Sequence, residues 1–217
     1  MTNPLGDWTI QQYTDRVEIN TQADASPSVP VGTQTIEYDV TSNSETPGLI
    51  TLDDSEPAQP KNIRIELTAS VDSGDLNDIG VVFGWQDASN WYTAEGLVDG
   101  ASTNAPGVRN LVVTDHGSVL DRGSNLGTAP DSDADQNWQD LRFDIWDSPN
   151  GVTVRLEATE RDQANPYSNM TAINEYTIEP VSGGLPGQIG LSFSAGGKAD
   201  GTSWVDDVRV YADGTWP

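Results

Sequence analysis

Apolar and polar residues alternate with a period of two along most of the chain, and no segment shows a convincing helical period of 3.6. Such short runs are typical of β-strands that bury one face. Clusters of Gly, Pro, Asn, Asp and Ser separate the runs, and the clearest hairpin turn is Asp147–Gly151. The alternation predicts thirteen strands, namely Trp8–Gln12, Val17–Asn20, Thr35–Val40, Gly48–Leu52, Ile63–Ala69, Gly80–Trp85, Trp91–Glu95, Leu111–Thr114, Leu141–Trp146, Val152–Ala158, Glu175–Ile178, Ile189–Ser194 and Trp204–Tyr211.

The spacing of these strands is too even for two domains, so we expect one all-β domain over residues 1–217. Many short strands in one domain indicate a sandwich or a barrel. Residues 21–34 and 41–62 are rich in Ser, Thr and Pro. We expect these two stretches to be long loops, available for contact with another chain.

Four stretches follow an order and spacing that resemble a known superfamily: Ile79–Tyr92, Asn137–Ile145, Gly187–Leu191 and Trp204–Tyr211. Together they resemble the concanavalin A-like lectin/glucanase superfamily, and laminin G-like domains in particular. The resemblance implies a jelly-roll β-sandwich of two antiparallel sheets, with glycans bound on a concave face or at its rim loops. It implies a fold rather than an activity.

The last strand is also similar to the closing strand of family 16 glycoside hydrolases, in which the first Asp of the matching pair commonly binds a structural calcium. That position is Asp206 here. Simple alternation places Asp206 on the same side as Val208 and Val210, where an inward carboxylate needs a cation or hydrogen-bond donors. The alternative is a carboxylate at the sheet edge that is solvated or paired. We predict a structural calcium ion here and no organic cofactor.

The carboxylates that family 16 hydrolases need, spaced Glu-x-Asp-x-x-Glu, are absent. The nearest approach begins at Glu37 and Asp39 but ends in Ser42, on an early strand. A Ser-His-Asp triad would have to use His116, which lies in a predicted turn. We therefore expect that the protein is not an enzyme.

A calcium loop is a weaker possibility at Asp131, Asp133 and Asp135, where acidic residues alternate. Gln136 replaces the glycine that makes the sharp turn of such loops, and Arg142 replaces the final carboxylate. The alternative interpretation is a solvated acidic loop.

The best functional candidate is the polar face of the strand that ends at Trp146. Because side chains alternate across a strand, Leu141, Phe143 and Ile145 share the core face. The opposite face and its hairpin partner then offer an aromatic ring among charged groups, which is what a sugar site needs: Arg142, Asp144, Trp146, Arg155 and Glu157. The alternative is that Trp146 caps the end of the sheet.

A second candidate glycan-binding segment follows the strand that ends at Trp85. We expect Trp85 itself in the core, because it lies two residues after Phe83 and so shares its face of the strand. In that segment Gln86, Asn90 and Trp91 are predicted to be reachable by a glycan.

Composition changes the expected setting of this fold. The chain has 34 acidic residues against 10 Lys and Arg, so its formal charge is −24. Such a surface charge strains the compact state in dilute buffer but is screened over about 3 Å at 1 M salt. We interpret the composition as adaptation to molar salt, with a very acidic mesophilic protein as the alternative. No Lys or Arg cluster exists for nucleic acid, and no cysteine for disulfides or thiolate metal sites.

The sequence also bears on location. No window approaches 18 apolar residues, so we predict no membrane insertion. The N-terminal residues lack the basic and apolar regions of a signal peptide. The expectation is a protein that stays in the cell, that leaves it by another route such as inside a virus particle, or whose signal has been removed.

The sequence therefore predicts a salt-adapted, non-enzymatic glycan-binding or adhesion domain, at a virion surface or outside the cell. A capsid decoration, turret or fibre tip would bind glycans or glycoproteins of the host surface, as a homo-oligomer or with other virion proteins. The alternatives are a carbohydrate-active lyase or glycoside hydrolase on the same fold, or a spacer or binding domain cut from a larger secreted protein.

Overall fold

A computed structural model of the chain describes residues 8–12, 16–21, 34–40, 48–52, 62–71, 76–99, 107–122, 138–160, 167–179, 187–195 and 201–212. Most of the predicted loops at 21–34 and 41–62 lies outside these residues, as do Asp131, Asp133 and Asp135. The described part of the chain contains no helix of the length and apolarity that a membrane span requires.

The described residues form fourteen strands: β1 (Trp8–Gln12), β2 (Arg16–Thr21), β3 (Gln34–Val40), β4 (Gly48–Leu52), β5 (Asn62–Val71), β6 (Leu76–Asp87), β7 (Asn90–Asp99), β8 (Gly107–Asp115), β9 (Ser118–Arg122), β10 (Gln139–Ser148), β11 (Gly151–Glu160), β12 (Thr171–Ile178), β13 (Gln188–Ala195) and β14 (Gly201–Ala212). Thirteen of them coincide with the predicted strands, to within a few residues at their ends. Runs with a period of two bury one face of a strand, which explains why alternation found them.

The strands pair in two antiparallel sheets of seven. The first sheet has the order β1-β4-β13-β6-β7-β8-β9, and the second has the order β12-β11-β10-β5-β14-β3-β2. Half of the neighbouring pairs join consecutive strands, and the other half join strands distant in sequence, as in a sandwich whose chain crosses repeatedly between its layers. The predicted all-β class, with two antiparallel sheets, is confirmed.

The core lies between the two sheets and is made of the side chains that face inward from both. Leu141, Phe143 and Ile145 of β10 are buried there, as their alternation predicts. Val81 of β6 and Phe193 of β13 meet them from the first sheet. Fully burying such a side chain contributes about 1.5–3 kcal/mol. The face of each sheet turned away from this core is called its outer face below.

The strand that alternation missed is β9, which forms an edge of the first sheet after the turn at His116 and Gly117. Two of its side chains, Val119 and Leu120, are exposed. An edge strand that does not bury a regular face leaves little periodic signal. The predicted turn at His116 is confirmed, since its φ is 49° and its backbone N–H donates to the Trp91 carbonyl at 3.2 Å.

Candidate functional site

Six alternating charges lie side by side on the outer face of the second sheet. Strand register places Asp144 of β10 between Arg64 of β5 and Arg155 of β11. One step along the same strands, Arg142 lies between two glutamates. We call this set the charged ladder, and its members are Arg64, Glu66, Arg142, Asp144, Arg155 and Glu157.

Asp144 is the buried centre of the first row. Its side chain is only 1% exposed, although it lies on an outer face. Arg64 donates to both carboxylate oxygens, from Nε at 2.6 Å and from Nη2 at 2.9 Å. Arg155 donates to Oδ2 from Nη2 at 3.4 Å. The hydrogen bond from Arg64 to this carboxylate raises the pKa of the Arg64 guanidinium above its ordinary value.

Arg142 is the centre of the second row. Its Nε and Nη2 donate to Glu66 Oε1 at 3.0 and 2.8 Å, and Nη1 donates to Glu157 Oε2 at 3.2 Å. A further hydrogen bond from Nη2 reaches the Tyr167 carbonyl at 3.1 Å. Arg155 joins the two rows because its Nη2 also lies 3.4 Å from Glu157 Oε1. The ladder is therefore one connected network that fixes the geometry of its own side chains.

Aromatic rings flank the ladder. Trp146 is half-buried next to Asp144 on the same face of β10, and the Arg155 guanidinium carbon lies 6.0 Å from the centre of its ring. Tyr211 of β14 lies opposite Arg64 and is 41% exposed, and its hydroxyl donates to Glu66 Oε2 at 3.4 Å. The face therefore combines rings open to solvent with fixed donors and acceptors.

Tyr167 closes one end of the ladder. Its backbone N–H donates to Asp140 Oδ2 at 3.0 Å and its hydroxyl donates to the Asp207 carbonyl at 3.1 Å. The Arg209 guanidinium lies over its ring at 5.0 Å. Burial raises the pKa of the Tyr167 phenol well above its ordinary value.

The structure thus brings together the five residues predicted around Trp146, with Arg155 and Glu157 on the partner strand as expected. The expectation that Asp144 would contact a glycan is wrong, because its carboxylate is buried beneath the two arginines. Sequence reasoning missed Arg64 and Glu66, which lie far away in the chain. Their signal was present in β5, where both alternate with buried apolar residues. A single sequence does not show that β5 pairs with β10.

The second predicted group lies on the other sheet. Gln86 and Asn90 are exposed in the β6–β7 hairpin, and the Asn90 amide donates to both Asp87 oxygens at 2.9 Å. Hydrogen bonds from the Ser89 N–H and the Asn90 amide hold the pKa of Asp87 below its ordinary value. The expectation that Trp91 would be reachable is wrong, because its ring is buried against Trp85, with centroids 6.3 Å apart.

Trp85 is buried, as expected, but not with Phe83. Gly84 has a φ of 64°, a conformation that favours glycine, and the register shifts at this point. The bulge turns Trp85 to the outer face of the first sheet, where it packs with Trp91, Val82 and Leu49 in a separate apolar cluster.

The predicted side of Asp206 is wrong, and a second bulge explains why. The register shifts between Asp206 and Arg209, and Asp207 has a φ of 54°. Asp206 therefore lies opposite Thr68 on the outer face, whereas Val210 packs on the core. Its carboxylate is buried and accepts the Asp207 N–H at 2.7 Å. Simple alternation failed because a bulge adds one residue to the strand.

Metal binding at Asp206 stays a prediction. Among the residues that the structure describes, no group of three or more His, Cys, Asp or Glu side chains is arranged to hold a metal ion. The other predicted calcium ligands lie outside those residues.

Glu95 is a second buried carboxylate that sequence reasoning missed. On the outer face of the first sheet, Glu95 of β7 lies opposite Gly80, which lies opposite Ser192 of β13. Because Gly80 has no side chain, the Glu95 carboxylate reaches across it and accepts hydrogen bonds from the Ser192 hydroxyl and, at 3.1 Å, from Ser194. The available signal was that Glu95 and Thr93 lie two residues apart in the predicted strand Trp91–Glu95 and therefore share one face of it.

Comparison of the sequence with models of known protein families and with curated proteins finds no match. Structures of similar fold include a functionally unknown protein from Saccharomyces cerevisiae, at a TM-score of 0.52 and 11% identity, with 96% of each chain covered. A GH43 glycoside hydrolase engineered to display both endo-xylanase and exo-arabinofuranosidase activity gives a TM-score of 0.52 at 12% identity, covering 82% of this chain and 34% of the enzyme. A xylan β-1,4-xylosidase from Bacillus halodurans C-125 gives 0.50 at 10% identity, covering 84% and 35%.

This chain spans about a third of the length of those two enzymes. At such low identities the likeness concerns the fold.

Proposed function

We propose that the chain is a non-enzymatic glycan-binding β-sandwich whose binding surface is the outer face of the second sheet. The observation that carries this proposal is the charged ladder, flanked by the Trp146 and Tyr211 rings. Sugars bind proteins by packing C–H groups on aromatic rings while fixed polar side chains bond the hydroxyls. The ladder offers partly exposed guanidinium and carboxylate groups beside both rings.

Rigidity is the second argument for this face. Arg64 and Arg142 are each held by short hydrogen bonds to a carboxylate, so little of their side-chain entropy remains to be lost when a ligand binds. A purely structural network would stabilise the sheet equally well, and the experiment below separates the two roles.

The fold supports a polysaccharide as the class of ligand to test first, because the two enzymes of similar fold are xylan-degrading by their names. Display on a virion surface and adaptation to molar salt remain part of the proposal. The salt adaptation rests on the charge of −24, and the virion role on the Ser-, Thr- and Pro-rich stretches 21–34 and 41–62, which suit packing between repeated copies.

The test is binding of the purified chain, in about 1 M salt to screen its net charge, to an array of plant, microbial and animal glycans. Hits are then titrated by calorimetry. We expect Trp146→Ala to weaken binding about 5- to 100-fold, since the loss of an aromatic anchor costs about 1–3 kcal/mol. The matched control is the double variant Gln86→Ala, Asn90→Ala, which alters the exposed hairpin on the other sheet and should bind normally.

Two results would overturn the proposal. The absence of binding to any glycan would reduce the ladder to a structural network. Loss of binding in the hairpin variant, with normal binding by Trp146→Ala, would move the site to the first sheet.

A carbohydrate-active enzyme is the second candidate, and the observation that favours it is the Glu95 cluster. Asp78 of β6 is also buried on that outer face, opposite Ser194. Two carboxylates on neighbouring central strands are the groups that glycoside hydrolysis uses. Hydrolysis of a glycan by the purified chain that disappears in Glu95→Gln would favour the enzyme. Retained hydrolysis in that variant would exclude Glu95 as the acid, base or nucleophile.

A further inference from the structure

We propose that the face described above selects acidic glycans, with the carboxylate or sulfate of an acidic sugar bound by Arg155 and Arg64 beside Trp146. This inference rests on the proposed glycan-binding function and adds the chemical class of the ligand.

The first argument is the depth of the charges in the first row. Two guanidiniums converge on Asp144 Oδ2, at 2.9 Å from Arg64 and 3.4 Å from Arg155. The Asp144 side chain is 1% exposed, whereas those of Arg64 and Arg155 are 21% and 24% exposed. A ligand on this row therefore meets two positive groups with the Asp144 carboxylate between them out of reach, and the reachable carboxylate of the row is that of Glu175, the exposed β12 neighbour of Arg155.

The second row does not cancel this excess at the surface near Trp146. There Arg142 lies between two glutamates, and its guanidinium is bonded to both of them. The ladder as a whole has three arginines and three carboxylates, so it is neutral. Within the ladder the row next to the aromatic ring has two arginines and one carboxylate, and Glu175 of β12 extends that row on the far side of Arg155.

The third argument is that Arg155 is the arginine of the ladder with the longest contacts. Its ion-pair contacts to Asp144 and Glu157 are both 3.4 Å long. Its Nε is buried and donates to no acceptor within the described part of the chain. The guanidinium can therefore turn toward an anion without breaking a short hydrogen bond, and Nε can gain an acceptor in the process. A guanidinium fork bonds a carboxylate or sulfate through two parallel N–H groups.

The net charge of the chain makes the binding of an acidic ligand depend on the salt concentration. A chain with a formal charge of −24 repels anions at long range in dilute buffer. At about 1 M salt that repulsion is screened beyond about 3 Å, while direct guanidinium–anion contacts in a partly buried site persist. Acidic glycans should therefore bind better relative to neutral ones as the salt concentration is raised from low to molar values.

The experiment uses matched ligands that differ only in charge: linear xylo-oligosaccharides and the same oligosaccharides carrying glucuronic acid branches. A second pair, a neutral galactan and its sulfated form, distinguishes carboxylate from sulfate. We expect the acidic member of at least one pair to bind about tenfold more tightly to the wild type in 1 M salt, the effect of one charge-assisted hydrogen-bonded pair. Arg155→Lys, which keeps the charge but lacks the fork, should lose most of that preference. Because Arg155 also lies on the proposed binding face, the variant's affinity for neutral ligands should fall too, but by less than its affinity for the acidic ones.

The control for net charge is Arg209→Gln, which removes one positive charge from the same face at a side chain that pairs with Asp207 beside Tyr167. This variant should keep the acidic preference, and losing it would mean that the preference follows net charge rather than the Arg155 site. Equal binding of acidic and neutral members would overturn this inference and leave glycan binding standing. Binding to no member of the pairs or of the array would instead overturn the proposed function itself.

Discussion

The substitution Asp144→Asn tests whether the charged ladder stabilises the sheet through its buried centre. The variant keeps the size of the side chain but removes the charge that two guanidiniums share. The new amide nitrogen is a donor, so it faces the N–H groups of Arg64 or Arg155 without an acceptor between them.

The expected cost follows from burial. Removing one partner of a fully buried ion pair costs about 3–5 kcal/mol because the remaining charge is left unpaired. Here the two arginines are partly exposed and regain water, which reduces the cost to about 2–3 kcal/mol. For a protein of this size, such a loss corresponds to a fall in Tm of about 5–10 °C.

The matched variant is Glu157→Gln, which removes the same charge from a side chain that is 17% exposed. Its cost should be at most about 1 kcal/mol. Because both variants change the net charge equally, the difference between them isolates the effect of burial. Urea titration followed by tryptophan fluorescence measures both, since urea, unlike guanidinium chloride, leaves the salt concentration unchanged.

Salt sharpens the comparison. Raising the salt from about 0.1 M to about 3 M should remove most of the Glu157→Gln cost, which comes from a partly exposed pair, and little of the Asp144→Asn cost. If both variants lose the same stability at 3 M salt, to within about 0.5 kcal/mol, the buried carboxylate is not the centre of the network and the reasoning is refuted.

Three further predictions concern other parts of the molecule. Gly80→Ala should cost more than about 2 kcal/mol in urea titrations, because its Cβ would lie 2.0 Å from the Ala94 carbonyl oxygen. Gly117→Ala has a φ of +78°, but its Cβ would meet only the Trp91 ring, at an ordinary 3.7 Å, so it should cost about 1–2 kcal/mol. Equal costs of the two variants would contradict the close approach at Gly80. Burial raises the pKa of the Tyr167 phenol, so the stability contributed by its neutral form is present below the ordinary pKa of 10 and is lost as the pH rises through the pKa of the folded state. In Tyr167→Phe the free energy of unfolding should therefore fall less steeply above pH 10. An unchanged slope would contradict the raised pKa. If Asp206 binds calcium, a chelator should lower the Tm of the wild type at fixed salt and leave Asp206→Ala unchanged; an unaffected wild type would end that prediction.

How much the sequence reveals is clearest at β10 and β11. Alternation alone placed Leu141, Phe143 and Ile145 in the core, and the Asp147–Gly151 turn identified β11 as the hairpin partner. Both are confirmed. These features are local, because the face on which a side chain lies depends on its neighbours two residues away, and a hairpin joins strands that are adjacent in the chain.

Alternation failed where a single residue interrupts the period. The bulges at Gly84 and Asp207 turn Trp85 and Asp206 to the outer faces of their sheets. The alternation of apolar and polar residues does not reveal where a bulge lies. One extra residue in a strand moves every residue after it to the face opposite the predicted one.

The sequence by itself thus determined the all-β class, most of the strands and the outward polar face around Trp146. Only the tertiary structure decided which distant strand completes that face. Arg64 bonds Asp144 across 80 residues of chain, and Glu95 reaches Ser192 across 97. Local periodicity fixes the side of a sheet on which a residue lies, whereas strand order depends on the packing of the whole core. The burial of a carboxylate such as Asp144 follows from that order.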